Sequence, residues 1–113
     1  MDLKQIYEKV NLRVPLEQRR FFNHFNDTAA EIFSMYPDFA CEEGKHYTPV
    51  SDLADECCIR EQFGPAIVDN ILFLSGYDKD GSFKSEFLRK AQNAYISYWR
   101  DKSHHKRIQK SRW

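Results

Sequence analysis

The sequence predicts an all-α protein, a small bundle of three principal helices with a short N-terminal helix, a long acidic irregular segment in the middle and a basic C-terminal extension. Apolar residues recur at steps of three and four over long stretches of the 113-residue chain, which is the spacing of one helix face. Prolines and glycines fall at the ends of these stretches or between them. We expect one domain over residues 1–100, and a basic extension of the last helix over residues 101–113.

The first two predicted helices are separated by a proline. Asp2 is suited to cap the first helix, in which Leu3, Ile6, Tyr7 and Val10 share one face. The second is expected to begin near Pro15, because proline is favoured in the first turn of a helix, and to end at about Tyr36. Its apolar stripe is Phe22, Phe25, Ala29, Ile32, Phe33 and Tyr36.

Residues 37–61 lack a helical period and contain many acids. Pro37, Gly44 and Pro49 interrupt them, which predicts a long loop. Within it we expect a short extended piece near "HYTPV" or "CCIR", and a helical turn over "DLADE" capped by Ser51. A loop of this length in a small domain is more often functional or interface-forming than idle.

Two further helices complete the predicted domain. One opens near Pro65 and closes at Gly76, and its nearly continuous apolar character places it at the centre of the bundle. The other is capped by Ser82 and runs into the basic tail. Its core positions are expected at Phe83, Phe87, Leu88, Ala91, Ala94 or Tyr95, Tyr98 and Trp99.

The formal net charge of zero conceals a segregation of charge along the chain. Residues 1–26 carry a net +2, residues 27–80 a net −9 and residues 84–113 a net +7. Such asymmetry is typical either of a nucleic-acid-binding tail or of two complementary surfaces that meet between copies of one chain.

Enzymatic, metal-binding and membrane functions have little support in the sequence. "YDKDGS" imitates part of a calcium-binding loop but lacks ligands at its first and last positions, so a polar turn is favoured. The four histidines form no spaced metal or catalytic cluster, and no cofactor is expected. Cys41, Cys57 and Cys58 are expected to be reduced thiols. The charged N-terminus predicts a cytoplasmic protein with no membrane contact.

The basic end of the chain is the strongest candidate binding segment, because bases interleaved with aromatic residues can grip an acidic surface. The candidate docking residues are Arg100, Lys102, Lys106, Arg107, Ile108, Lys110, Arg112 and Trp113. A complementary subunit interface is expected on the acidic middle segment, at Asp38, Glu42, Glu43, Asp52, Asp55 and Glu56.

In the order of its parts the chain resembles the small helical head-tail connector, or adaptor, proteins of tailed bacteriophages. The resemblance lies in "RRFFNHFNDTAAEIFSMY", the acidic middle, "PAIVDNILFLSG", and "KSEFLRKAQNAYISYW" running into "KRIQKSRW". It implies a non-enzymatic structural subunit of the virion neck, made in the host bacterial cytoplasm. Such subunits form a ring, often of twelve copies, that joins the portal to neck or tail proteins. The long acidic middle and the terminal tryptophan depart from better-known members, which leaves the tier of the neck open.

A second hypothesis is a small DNA-binding or packaging-associated protein that contacts phosphates through its basic C-terminal helix. Transient DNA contact is also compatible with the connector interpretation. The DNA hypothesis ranks lower because the sequence contains no recognisable helix-turn-helix, and because the bases gather at one end of the chain.

Overall fold

The computed structural model describes the backbone of residues 1–77 and 80–110, and the side chains of residues 1–77 and 80–100. Its regular elements are α1 (Leu3–Asn11), α2 (Gln18–Met35), a 3-10 turn (Glu61–Phe63), α3 (Gly64–Leu74) and α4 (Ser82–Lys110). Within these ranges the only β-structure is an isolated antiparallel bridge between Cys41 and Ile59. The predicted all-α class is confirmed.

Helix α1 follows its sequence pattern. The Asp2 carboxylate accepts a hydrogen bond from the Gln5 backbone N–H at 3.2 Å, as expected of a cap. Leu3, Ile6 and Val10 are buried on one face.

The start of α2 differs from the prediction. Pro15 lies in the link between α1 and α2, and the helix begins three residues later, at Gln18. The Leu16 N–H donates instead to Asn11 Oδ1 at 2.8 Å, and the Leu16 carbonyl accepts from the Tyr7 hydroxyl at 2.8 Å. These two bonds hold the link against α1, so the backbone becomes helical only beyond Glu17.

Helix α3 lies at the centre, as its apolar sequence predicts, and contacts α1, α2 and α4. Ala66, Ile67, Ile71 and Leu72 are buried. Gly76 follows the helix with φ +82°, a left-handed conformation that favours glycine and ends the helix where expected.

A polar network crosses the otherwise apolar centre. Asn70 of α3 donates through Nδ2 to Thr28 Oγ1 at 2.9 Å and to Glu31 Oε2 at 2.6 Å, both on α2. Lys84 of α4 donates to Asn70 Oδ1 at 3.1 Å and also pairs with Glu31. The network therefore links α2, α3 and α4 and satisfies the buried amide of Asn70.

Backbone hydrogen bonds and a disulfide join the two ends of the middle segment to each other. Glu42 N–H donates to the Cys58 carbonyl at 2.9 Å, and Arg60 N–H donates to the Ala40 carbonyl at 3.0 Å. The extended piece expected near "CCIR" is this bridge. Cys41 and Cys58 are joined by a disulfide, so the expectation of three reduced thiols is wrong for these two. The pairing escaped prediction because the loop returns residue 58 beside residue 41.

Helix α4 begins at Ser82 and is 29 residues long. Ser82 was predicted to be the capping residue that precedes the helix, but it is the first residue of the helix itself. Phe87, Ala91 and Ala94 are its buried positions among the described side chains. In the part of the chain that the structure describes, no helix combines the length and apolar character needed to cross a bilayer.

Candidate docking surfaces

An aromatic cluster surrounds the point at which α4 leaves the body of the protein. Tyr95 of α4 stacks on Tyr36, with ring centroids 4.8 Å apart, and Tyr98 lies 4.7 Å from Phe39. Burial, together with the neighbouring Tyr95 ring, raises the pKa of the Tyr36 hydroxyl. The cluster attaches α4 to the end of α2 and to the start of the middle segment.

Arg60 joins this cluster from the middle segment. Its guanidinium carbon lies 4.9 Å from the ring centroids of both Phe39 and Tyr98, and its Nε donates to the Phe39 carbonyl at 2.8 Å. The two ring contacts are cation–π interactions, and Arg60 is half-buried where it makes them. The sequence gives no signal for Arg60, because an isolated base in an aperiodic segment has no pattern.

An apolar stripe lies exposed on α4. Leu88, Ile96 and Trp99 are 45%, 47% and 46% exposed. At 100° per residue these positions lie within an arc of about 80°, so they share one face of the helix. The prediction that Leu88 and Trp99 belong to the core is therefore wrong, because Phe87, Ala91 and Ala94 already supply the face that meets α3. The stripe gives α4 exposed apolar surface.

Six of the eight predicted docking residues belong to α4. Arg100 is exposed. The backbone of Lys102, Lys106, Arg107, Ile108 and Lys110 belongs to α4, while their side chains lie outside the described ones. Arg112 and Trp113 lie outside the described residues altogether.

The predicted acidic interface lies mainly on the surface. Asp38, Glu43, Asp52, Asp55 and Glu56 are exposed, and Glu42 is half-buried. The Glu42 carboxylate pairs with Lys45 Nζ at 2.9 Å, and this hydrogen bond and charge lower the pKa of Glu42.

Two of these acids also shape their own turn. Asp55 Oδ2 accepts from the N–H groups of Ser51 at 2.9 Å and Asp52 at 3.1 Å, and Asp52 Oδ1 accepts from the Ala54 N–H at 2.8 Å. The turn over "DLADE" is present, but its side-chain acceptors are Asp52 and Asp55 rather than the predicted Ser51. Glu56 has no such role and extends its charge into solvent. We call residues 51–56 the acidic turn.

Asn26 of α2 fixes the acidic turn to the helical body. Its Oδ1 accepts from the Val50 N–H at 2.9 Å, and its Nδ2 donates to the Val50 carbonyl at 3.0 Å. The Tyr47 hydroxyl also donates to Asn26 Oδ1. One amide side chain thus satisfies both backbone groups of the residue that precedes the turn.

A basic cleft lies between α1, α3 and α4, and the sequence pattern gave no indication of it. It is a cavity of about 310 Å³ lined by Lys9, Leu12, Arg13, Pro65, Val68, Asp69, Leu72 and Lys90. The Asp69 carboxylate pairs with Lys90 Nζ at 2.7 Å. Lys9 and Arg13 form no ion pair with a carboxylate among the described residues.

The cleft residues come from separate parts of the chain, so only the folded structure brings them together. In the described ranges, no three His, Cys, Asp or Glu side chains gather as a metal site would require. The arrangement offers charged and apolar surfaces suited to binding other macromolecules.

No family model, curated protein or solved structure matches this chain.

Proposed function

We propose that this protein is a structural assembly subunit, a phage head-tail connector or adaptor that forms a ring and joins the portal to neck or tail proteins. In this proposal a bundle of three principal helices forms the body, the acidic middle segment contacts the neighbouring copy, and the basic extension of α4 docks on another protein. The virion neck is the corresponding location, and no catalysis is involved.

The observation that carries the proposal is the length of α4. Tyr98 packs against Phe39 of the body, and the helix continues from there to Lys110. At 1.5 Å per residue that continuation adds about 18 Å. The protein measures 57 Å along its longest axis and 32 and 23 Å along the others. A helix that runs past its own core is suited to insertion into a partner.

Two features at the base of α4 support the same role. Arg60 lies over the Tyr98 ring and Tyr95 stacks on Tyr36, so these contacts attach the helix to the body just before the extension begins. Ile96 and Trp99 provide exposed apolar area just before the basic residues begin. Bases can steer association with an acidic surface, and apolar side chains then supply buried contact area.

The test is electron microscopy of the purified full-length protein, alone and with the proteins encoded by neighbouring genes. We expect rings, and we expect them to add to portal complexes. A truncated chain of residues 1–100 should keep its helical circular dichroism and lose docking. A full-length protein that remains monomeric and binds no neck protein would contradict the proposal.

The DNA-binding alternative predicts a different result in the same truncation pair. Full-length protein would bind duplex DNA with an affinity that falls steeply with salt, by roughly one unit of log–log slope per phosphate contact. The 1–100 chain would lose that binding. Docking on portal complexes without measurable DNA affinity favours the connector role.

A further inference from the structure

The basic cleft has the chemistry of a site for an acidic segment. Lys9, Arg13 and Lys90 surround it, and its one carboxylate, Asp69, is already paired with Lys90. The cleft therefore presents an excess of about two positive charges. A free anion alone would not use the apolar part of the lining, which includes Val68.

Leu12 adds an apolar side chain at this site. It is 87% exposed, the highest value among the large hydrophobic residues that are exposed in the described structure. It follows the last residue of α1 and lines the cleft together with Lys9 and Arg13. An occupant of the cleft should thus carry carboxylates together with small or aliphatic side chains.

The chain itself contains a segment of that composition. The acidic turn, "SDLADE", places the exposed Ala54 among three carboxylates, while Leu53 packs in part against the core. Backbone N–H groups of the turn donate to one carboxylate oxygen of Asp52 and one of Asp55, and none of these bonds uses Glu56. The turn is held on α2 through Asn26 and Val50, whereas the cleft is lined by α1, its C-terminal flank, α3 and α4.

We infer that the basic cleft receives the acidic turn of a second copy of this chain. Opposite charges then meet across the subunit contact, and because the two surfaces are different, the contact can repeat from copy to copy and close a ring. The inference rests on the proposed connector function and names the surfaces of its subunit contact. It leaves the basic extension of α4 available for other proteins.

Charge reversal tests the contact with full-length chains. Arg13→Glu lowers the net charge of the cleft lining from about +2 to zero, and Glu56→Lys reduces the net charge of the turn from −3 to −1, so each variant loses charge complementarity with its own copies. Sedimentation velocity should show each variant alone associating at least roughly tenfold more weakly than the natural protein. An equimolar mixture should recover pairwise association, because the unaltered cleft of the Glu56→Lys chain then meets the unaltered turn of the Arg13→Glu chain.

The matched control is Lys4→Glu, which makes the same change of charge on an exposed residue of α1 outside the cleft lining. It should associate like the natural protein. Association of the natural protein should also weaken between about 0.1 M and 1 M salt, as the Debye length falls from about 10 Å to about 3 Å. Circular dichroism establishes that each variant is folded, and recovery on mixing gives independent proof.

Three results would overturn the inference, and they differ in what they say about the connector. If rings form and Arg13→Glu and Glu56→Lys behave like Lys4→Glu, the cleft is not the contact, while the connector role stands. If the two variants weaken association but their mixture does not recover it, the cleft and the turn do not meet each other. Failure of the natural protein to associate at all, alone or on a portal, would overturn both proposals.

Discussion

Lys90 Nζ lies 2.7 Å from Asp69 Oδ2, and this pair joins α4 to α3 at the wall of the basic cleft. Asp69 is one of three buried polar or charged residues among the described side chains, whereas about a third of the Lys90 side chain is exposed. The buried carboxylate of Asp69 therefore depends on the Lys90 ammonium to offset the cost of its desolvation.

We predict that Lys90→Met lowers the free energy of unfolding by about 2 kcal/mol, because it leaves the Asp69 carboxylate buried without its partner. The loss should be smaller than in a fully buried pair, since water reaches Lys90. Asp69→Asn combined with Lys90→Met should cost less than the two single changes added together. Urea denaturation of all four proteins gives this cycle, and strictly additive losses would show that the pair contributes nothing.

Asn26→Ala should loosen the acidic middle segment. The change removes two hydrogen bonds to Val50 and the acceptor of the Tyr47 hydroxyl, for a loss of about 2–3 kcal/mol in unfolding free energy. Hydrogen exchange of the Val50 amide and the acidic turn should accelerate. Asn23→Ala, on an exposed position of the same helix, is the control and should change neither quantity.

The helices were predictable because each buries a periodic apolar face, and that face is local in sequence. Helix α3, with Pro65 at its start and Gly76 after its end, is the clearest case. Asn26 was not predictable as an anchor, because its role depends on a loop that returns 24 residues later. The same reason hid Arg60 and the basic cleft, whose contacts join residues distant in sequence.

The acidic candidate residues show a related limit. Composition indicated a charged surface, and most of these side chains are indeed exposed. Composition did not separate Asp55, which accepts hydrogen bonds from its own turn, from Glu56, which does not. That distinction requires backbone geometry, and it decides which acid can be reversed without altering the turn.

Reduction of the Cys41–Cys58 disulfide should destabilise the protein. A bridge across 17 positions restricts the unfolded chain by about 3 kcal/mol in the chain-entropy account. The natural protein should therefore lose thermal stability in dithiothreitol. Alkylation after denaturation without reductant should label one cysteine, Cys57, the buried free thiol.

Two cysteine variants separate this effect from other consequences of reductant. The double variant Cys41→Ser, Cys58→Ser should be less stable than the natural protein and indifferent to dithiothreitol. Cys57→Ser keeps the bridge and should keep the sensitivity. Labelling of all three cysteines in the natural protein without reductant would refute the disulfide.

The stability of the fold should fall as the solution is acidified from pH 7 to about pH 5.5, and His24 is the cause we assign. Burial, with a contribution from the nearby Arg20, lowers the pKa of His24 below 6.5, and Nε2 is buried with no hydrogen-bond partner among the described residues. The unfolded chain therefore takes up a proton in this range that the folded chain resists, so the unfolded state gains stability as pH falls. The carboxylates of Glu42 and Glu86, whose pKa values are lowered from 4.5 by their basic partners, lose their contribution only at lower pH.

His24→Gln should flatten the profile of unfolding free energy between pH 7 and 5.5 measured in urea, whereas His46→Gln should retain the slope. An unchanged slope in His24→Gln would assign the acid sensitivity to another group.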